Sequence, residues 1–119
     1  MRITAQVLDG TYGKCAVGVR AFLARANGDG WTTVAASETN ASGSIDDWDG
    51  WPLERGLYRI VFDSDSYFAG LGADTAYPEV AVIFRMHEES AKFQVQITIS
   101  PYSYSTYFGT TDGRSGNPS

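Results

Sequence analysis

The sequence predicts an all-β fold, a β-sandwich or barrel of about eight short strands with one short helix. Two features of the chain carry this prediction. Short segments alternate apolar and polar side chains, as half-buried strands do, and clusters of Gly, Asn, Asp and Ser separate them. Only residues 64–70 offer a helical start, and the glycines that follow leave room for a short helix alone.

Length and composition fit one domain without a nucleic-acid or membrane partner. The chain has 119 residues, 43% of them hydrophobic, enough to bury roughly two-thirds of the unfolded surface. The formal charge is −5 and the nine Lys and Arg residues are scattered, whereas phosphate binding needs clustered cations. No apolar stretch approaches the roughly 20 residues that cross a bilayer, and the N-terminus lacks a signal-peptide pattern. Because the lone Cys15 allows no intrachain disulfide, we expect a cytoplasmic protein.

The first half of the chain contains four predicted β segments. In residues 3–9, Gln6 shares one face with Thr4 and Leu8. A turn at 10–13 closes this strand, and the Asn-Gly-Asp-Gly run at 27–30 predicts a hairpin. The other β segments of this half are residues 18–25, 31–39 and 44–48.

The second half begins with a strand, a short helix and another strand. Residues 57–62 are strong β-formers, and Asp63 and Ser64 are suited to cap a helix over 64–70. Pro78 is tolerated at the start of a strand over 78–84.

Two strands end the predicted domain, at residues 92–100 and 100–110. The first has the cleanest alternation in the chain. Its apolar face is Phe93, Val95, Ile97 and Ile99, and its polar face is Lys92, Gln94, Gln96 and Thr98. The second is expected to be half-buried, with a hydroxylated second face. Its two faces are Tyr102, Tyr104, Thr106 and Phe108 against Ser103, Ser105, Tyr107 and Gly109.

Several polar residues fit a surface role better than a site. Asp46, Asp47 and Asp49 carry oxygens that hard cations prefer, yet their spacing matches no metal loop, and we expect a solvated acidic edge and no metal. His87 lies in a polar turn and is expected to be exposed, and Cys15 is expected to be inert. Residues 111–119 are polar and turn-forming, which predicts a mobile tail after a domain of residues 1–110, although Arg114 could fold back and restore a cation to the site.

One run of residues near the C-terminus resembles a known family. Ser100-Pro-Tyr-Ser-Tyr-Ser-Thr-Tyr-Phe-Gly-Thr110 resembles the Ser-Pro-x-x-Tyr-Ser-Thr-Tyr-Arg-Gly-Ser signature of the transthyretin and 5-hydroxyisourate hydrolase family. Ile3-Thr-Ala-Gln-Val-Leu-Asp9 and Gly56-Leu-Tyr-Arg-Ile-Val-Phe-Asp63 are similar to two further segments of the hydrolases. The resemblance implies two four-stranded sheets packed face to face, a short helix and a homotetramer. It also implies paired ligand or active sites in a channel between the dimers.

The same resemblance places the hydrolase site onto altered residues. The family's two His positions fall on Gln6 and Gln94, and its Arg falls on Ser44. In the C-terminal signature Tyr107 is retained, whereas Phe108 replaces Arg and Thr110 replaces Ser, so Thr110 keeps only the hydroxyl. Hydrolysis of 5-hydroxyisourate needs a group that titrates near neutrality and a cation for the anionic ring, and an amide supplies neither. We therefore expect this activity to be lost or residual.

The polar strand faces that the resemblance brings together form a candidate small-molecule site. Its predicted catalytic residues are Gln6, Gln94, Tyr107 and Thr110, and its predicted ligand-binding residues are Ser44, Gln96, Thr98 and Phe108. Such a site could orient a neutral natural-product intermediate for cyclisation, rearrangement or hydrolysis without a cofactor, with Tyr107 as the proton donor. Two alternatives remain open at this point. The protein could bind a ligand without altering it, or the polar face could be an ordinary solvated sheet surface.

Overall fold

The computed structural model describes residues 2–46, 48, 54–86 and 92–110. Within these ranges the chain forms nine strands and one helix. In chain order these are β1 (Arg2–Asp9), β2 (Lys14–Cys15), β3 (Arg20–Asn27), β4 (Gly30–Glu38), β5 (Ser44–Ile45), β6 (Gly56–Phe62), α1 (Ser64–Ala69), β7 (Val80–Met86), β8 (Lys92–Ser100) and β9 (Ser103–Thr110). The all-β prediction with one short helix is confirmed.

The strands form two sheets. The first sheet has the order β2-β1-β8-β9, and β5 also pairs with β1; the second has the order β4-β3-β6-β7. All pairings are antiparallel except that of β1 with β8, which is parallel. The first sheet thus has five strands where the resemblance implied four, because the two-residue β5 adds to β1.

Each strand predicted from the sequence is present, and the bounds differ from the predicted ones by up to three residues. The predicted segment 44–48 is a strand only at Ser44–Ile45, and the strand predicted over 78–84 runs over Val80–Met86. The pair Lys14–Cys15, which the sequence did not predict, is too short to show any alternation. The hairpin at 27–30 is confirmed, since Asn27 pairs with Gly30 and Gly28 has a φ of 62°.

The core lies between the two sheets and is built from the apolar face of each strand. The alternation predicted for β8 is confirmed, because Phe93, Val95, Ile97 and Ile99 are all buried. Ile3, Ala5 and Val7 bury the corresponding face of β1. The second sheet contributes Ala21, Leu23, Tyr58, Ile60, Phe62, Val80, Phe84 and Met86. Burying this apolar surface is the main favourable term in folding.

Helix α1 covers one end of the core. Asp63 caps it by accepting a hydrogen bond from the backbone N–H of Ser66 at 3.2 Å, as the sequence predicted. Phe68 is buried, and the helix ends at Gly70. This anchoring brings Tyr67 against the end of β1.

Some predictions fall on residues outside the described ranges. These are the predictions for Asp47, Asp49, His87 and the tail at 111–119, including Arg114. Within the described ranges, no helix is long and apolar enough to cross a membrane. In that part of the chain, no group of three His, Cys, Asp or Glu side chains is placed to hold a metal ion.

Candidate functional site

The outer face of the first sheet carries a row of polar residues that spans four strands. Ser44 of β5 pairs with Gln6 of β1, Gln6 pairs with Gln96 of β8, and Gln96 pairs with Tyr107 of β9. Paired residues in a sheet point to the same side, so these four side chains share the face turned away from the core. We call Ser44, Gln6, Gln96 and Tyr107 the polar row. Four of the sequence-predicted site residues therefore lie side by side.

Two further predicted residues lie on the same face, one on each side of the polar row. Gln94 pairs with Thr4 of β1 and with Gly109 of β9. Thr98 pairs with Leu8 on the opposite side of the row. Both Gln94 and Thr98 are half-buried, so their polar groups lie within the sheet surface and remain within reach of a ligand.

Both the nitrogen and the oxygen of the Gln6 amide are hydrogen-bonded within the protein. Its Nε2 donates to the backbone carbonyl of Ser42 at 2.9 Å, and its Oε1 accepts from the hydroxyl of Ser44 at 3.4 Å. The Sγ of Cys15 lies 4.0 Å from Nε2. These contacts fix which end of the amide is the donor, because Nε2 donates to the Ser42 carbonyl and to the weak acceptor Cys15 Sγ. They leave one lone pair of Oε1 for a ligand.

The loop before β5 holds Gln6 because it turns tightly against β1. Asn40 Oδ1 accepts from the backbone N–H groups of Ser42 and Ser44, at 2.9 Å and 3.1 Å. Gly43 has a φ of 75°, and a Cβ there would lie 2.8 Å from the carbonyl oxygen of Val7. Only glycine fits such a backbone and such an approach. The Asn-Ala-Ser-Gly sequence thus sets the position of the Gln6 amide.

A cavity of about 390 Å³ opens beside the polar row, towards the turn between β1 and β2. Its lining is more apolar than that of the row and includes Leu8, Gly10, Lys14, Cys15 and Thr98. A volume of this size suits a small organic ligand. Thr98 lines this cavity, and its role in binding a ligand stays a prediction.

Phe108 does not lie beside these polar groups, contrary to the sequence-based expectation. It pairs with Val95, whose side chain is in the core, and it therefore points to the opposite side of the sheet from Tyr107. Its ring centroid lies 5.1 Å from that of Phe84 and 5.2 Å from that of Phe93. Phe108 is half-buried and closes the edge of the core.

Thr110 is also outside the polar row. Its backbone pairs with Phe93 at the end of β9, three register positions from the Gln96–Tyr107 pair. The described part of Thr110 is its backbone, so the role predicted for its hydroxyl stays a prediction.

The strand β9 is far more exposed than the half-buried strand that the sequence predicted. Tyr104 is 43% exposed and Tyr107 64%, and Tyr102, in the turn before the strand, is 68% exposed. Among the described residues the strand has a neighbour on one side, β8, and nothing in that part of the chain covers its other edge. Tyr107 is therefore freely accessible from solvent.

Two residues of the face were not selected from the sequence. Lys92 is exposed and lies two residues before Gln94 on the same side of β8, where it offers a cation at the end of the face. The alternation that selected Gln94 and Gln96 includes Lys92 and could have identified it. Cys15 contacts Gln6 only because the two-residue β2 pairs with β1, and no sequence pattern signals that contact.

The polar row and its neighbours Gln94 and Thr98 offer neutral hydrogen-bonding groups. Within the described residues, the polar row and its Gln94 and Thr98 neighbours present amides, hydroxyls and one phenol, with no carboxylate or imidazole. Amides and hydroxyls donate and accept hydrogen bonds without exchanging protons at neutral pH. The arrangement can bind and orient a small polar molecule, and Tyr107 is the group in the row that can donate a proton from an exposed position.

Comparisons with known proteins agree with this architecture. A sequence model described as the HIUase/Transthyretin family matches residues 3–109. The chain is 35% identical to the 5-hydroxyisourate hydrolase of Deinococcus radiodurans over 113 residues, covering 91% of this chain and 95% of that protein. Sea bream transthyretin, solved in complex with thyroxine, superposes with a TM-score of 0.87 at 26% identity, over 93% of this chain and 97% of that one. For the 5-hydroxyisourate hydrolase of Klebsiella pneumoniae the TM-score is 0.81 at 28% identity, over 92% and 99% of the two chains. The chain belongs to the HIUase/transthyretin family.

Proposed function

We propose that this protein uses the polar row to bind and orient an uncharged small molecule, and that it has lost most or all hydrolysis of 5-hydroxyisourate. The proposal concerns an enzyme that promotes cyclisation, rearrangement or hydrolysis of a neutral intermediate. Family membership supports a small-molecule site, since relatives are named as hydrolases and one was solved with thyroxine bound. The residues of the row support a change in the chemistry of that site.

The observation that carries the proposal is the fixed amide of Gln6. The resemblance puts a histidine of the hydrolases at this position, and here the side chain is a carboxamide bonded to Ser42 and Ser44. An amide held in this way cannot take a proton from water. Loss of one positioned acid or base typically slows a reaction by about 10²–10⁴-fold.

A mechanism without a strong base is available to a site of this kind. Gln6 and Gln96 would hold a neutral amide or urea group of the ligand by paired donor and acceptor contacts. Holding two reacting parts of one molecule close together lowers the activation free energy, because the entropy of bringing them together is already lost on binding. Tyr107 would donate a proton to an oxygen or nitrogen that gains charge during the reaction.

The first test measures the family reaction directly. 5-Hydroxyisourate made freshly from urate is mixed with the protein, and its ultraviolet decay is followed. We expect a rate close to the spontaneous one. A rate well above it would overturn the loss of hydrolysis and favour a residual hydrolase.

A gain-of-function variant sharpens this test. Gln6→His, Ser44→Arg and Gln94→His together return the imidazoles and the cation to the outer face, and we expect faster decay than with the unaltered protein. Phe108→Arg is left out because position 108 faces the core side of the sheet. The matched control is Thr32→His with Thr33→His, which adds two imidazoles at exposed positions of β4 and should leave the rate unchanged. Equal rates for both variants would contradict the importance of these positions.

The second candidate function is ligand binding without chemistry. The observation that favours it is the similarity to a transthyretin solved with thyroxine. Hydantoin, a neutral ring with a urea edge, and thyroxine serve as probes in thermal unfolding, because a ligand that binds only the native state raises the melting temperature. We expect a shift with hydantoin that Gln6→Ala and Gln94→Ala each reduce. A shift with thyroxine alone would favour a carrier.

Native mass spectrometry of the purified protein addresses the natural ligand. For an enzyme of this kind we expect Gln6→Ala and Gln94→Ala to abolish turnover of any co-purified molecule once it is identified. Recovery of that molecule unchanged after prolonged incubation with the protein would support the carrier. The proposal also includes a cytoplasmic location, which cell fractionation would test.

A further inference from the structure

The ring of Tyr107 lies along its own strand and covers Gly109. A Cβ atom built on Gly109 would lie 2.6 Å from the hydroxyl oxygen of Tyr107, 2.8 Å from Cε2 and 2.9 Å from Cζ. Real Cβ atoms essentially never approach other heavy atoms so closely. The phenol therefore fills the space that any side chain at position 109 would need.

The backbone at Gly109 gives no other reason for a glycine. Its φ is outside the range from +20° to +160° that favours glycine, unlike the φ of Gly43 or Gly28. It lies inside β9, where glycine weakens a strand because it adds backbone freedom and has no side chain to pack. The three nearest atoms to its missing Cβ all belong to Tyr107. What the glycine provides at this position is room for the phenol.

The register of β8 and β9 determines where the phenol ends. The backbone of Tyr107 pairs with Gln96, whereas that of Gly109 pairs with Gln94. Because the ring lies over Gly109, its hydroxyl is displaced by two residues along the strand, from the polar row to the level of Gln94. The backbone of Tyr107 thus lies in the polar row, whereas its hydroxyl lies level with Gln94.

We propose that Gly109 is a positioning residue that keeps the Tyr107 hydroxyl beside Gln94. In this way it sets the orientation of a ligand bound between Gln94 and the polar row. The placement of the ring depends on the structure alone, and the effect on a ligand depends on the function proposed above. A side chain at position 109 would force the ring to rotate about χ1, since both cannot occupy the same volume. The hydroxyl would then leave the Gln94 level.

Nuclear magnetic resonance tests the placement without any ligand. Protons above or below an aromatic ring are shifted upfield, so we expect the Hα signals of Gly109 to move downfield in Tyr107→Leu. The matched control is Ser105→Ala, which lies two residues before Tyr107 on the same face of β9 and should leave these signals unchanged. If Tyr107→Leu leaves the Gly109 signals unchanged, the proposed placement is wrong.

A double-mutant cycle tests the action through Tyr107. The probe is hydantoin, and the readout is its dissociation constant for the full-length protein. We expect Gly109→Ala to weaken binding roughly tenfold, the size of one positioned hydrogen bond, and to have no further effect in the Tyr107→Leu background. Independent losses that add in the double variant would overturn the positioning role.

Thermal unfolding of each variant separates this effect from a general loss of structure. We expect Gly109→Ala to keep the melting temperature of the unaltered protein within a few degrees, because position 109 is at the edge of the sheet. If hydantoin fails to bind the unaltered protein, the neutral-ligand function is contradicted, whereas the resonance test still decides where the ring lies.

Discussion

At the scale of single residues, Asp9 is a buried carboxylate held by donors from two parts of the chain. It is 1% exposed and lies at the end of β1. Its Oδ1 accepts from the backbone N–H groups of Thr11 at 2.8 Å and Tyr12 at 3.1 Å, and its Oδ2 accepts from the hydroxyl of Tyr67 at 2.7 Å. A buried charge is tolerated when hydrogen bonds satisfy it. Asp9 therefore connects the turn after β1 to helix α1.

Tyr67→Phe should destabilise the protein because it leaves Oδ2 of Asp9 without its phenol donor. The expected loss is about 1–3 kcal/mol in the free energy of unfolding, measured by urea titration. Tyr12→Phe is the matched control, since the Tyr12 side chain is 58% exposed and its change should be within about 0.5 kcal/mol. Equal unfolding midpoints for Tyr67→Phe and the unaltered protein would contradict this assignment.

The same contact predicts a loss of stability in alkali. Burial raises the pKa of Tyr67, and the hydrogen bond to Asp9 raises it further. A group whose pKa is higher in the folded state contributes fully below its unfolded pKa, which is about 10 for tyrosine, and loses this contribution as the pH rises towards the folded pKa. Urea titrations between pH 8 and about 12 should therefore show the advantage over Tyr67→Phe shrinking above about pH 10. An advantage that is constant over this range would be evidence against the shift.

At the scale of elements, one of the described side chains of β9 packs against the core. Its tyrosines are exposed, and Phe108 is the residue of β9 that packs against the core, between Phe84 of β7 and Phe93 of β8. The strand is also held by its hydrogen bonding to β8 and by the edge-to-face contact of Tyr104 with Tyr77, whose ring centroids lie 5.1 Å apart. Local opening of β9 should thus depend strongly on Phe108.

Phe108→Ala should loosen β9 more than it affects the other strands. Phe→Ala in a full core costs about 3–5 kcal/mol, and since Phe108 is only half-buried we expect roughly 2 kcal/mol in unfolding free energy. Hydrogen exchange should speed up first at the amides of β9. Tyr102→Ala is the control, because that side chain is 68% exposed and its loss should change neither quantity. Unchanged exchange in β9 would show that its pairing with β8 suffices.

The sequence predicts the strands well, but it does not predict which face of the sheet carries the Phe108 side chain. The reason is physical. Period-two alternation separates the two faces of β9 but does not say which face meets the core, because both contain aromatic and hydroxyl groups. The pairing of Phe108 with Val95 decides it, and that register depends on a partner strand. Likewise Lys14–Cys15 and Ser44–Ile45 are strands only because β1 lies beside them. Alternation shows which residues share a face of the strand. Pairing with a partner strand decides whether that face meets the core or the solvent.

At the scale of the whole molecule, the two-sheet architecture could be predicted and the pairing of β1 with β8 could not. Alternation in β1 and β8 predicts that each strand buries one face. The residues of either strand do not indicate that the other is its partner in the sheet. The polar row exists because of that pairing, which brings Gln6 beside Gln96. Resemblance and alternation together identified the candidate residues and predicted that their strands meet. The register that sets Gln6 beside Gln96 needed the three-dimensional fold.

The edge of β9, which no described residue covers, and the family resemblance together predict an assembly of four chains. An exposed strand edge has unpaired backbone groups that favour pairing with another chain. Light scattering coupled to gel filtration should give about four times the chain mass of 12.9 kDa. A particle of 12.9 kDa at micromolar concentration would contradict the prediction and leave the outer face open to solvent on a single chain.

The parallel pairing of β1 with β8 has a consequence for the order of events during synthesis. Of the described strands β1 is made first, whereas β8, which pairs with it along its full length, is the eighth. The hairpin of β3 and β4, and the sheet that β6 and β7 extend, are complete in sequence before β8 appears. Until β8 is made, the apolar face of β1 is incompletely covered; this face consists of Ile3, Ala5 and Val7. Long-range pairing of this kind slows folding and leaves nascent chains open to aggregation and to chaperones. The strand that supplies Gln6 is thus made before the other described strands and is among the last of them to complete its pairing.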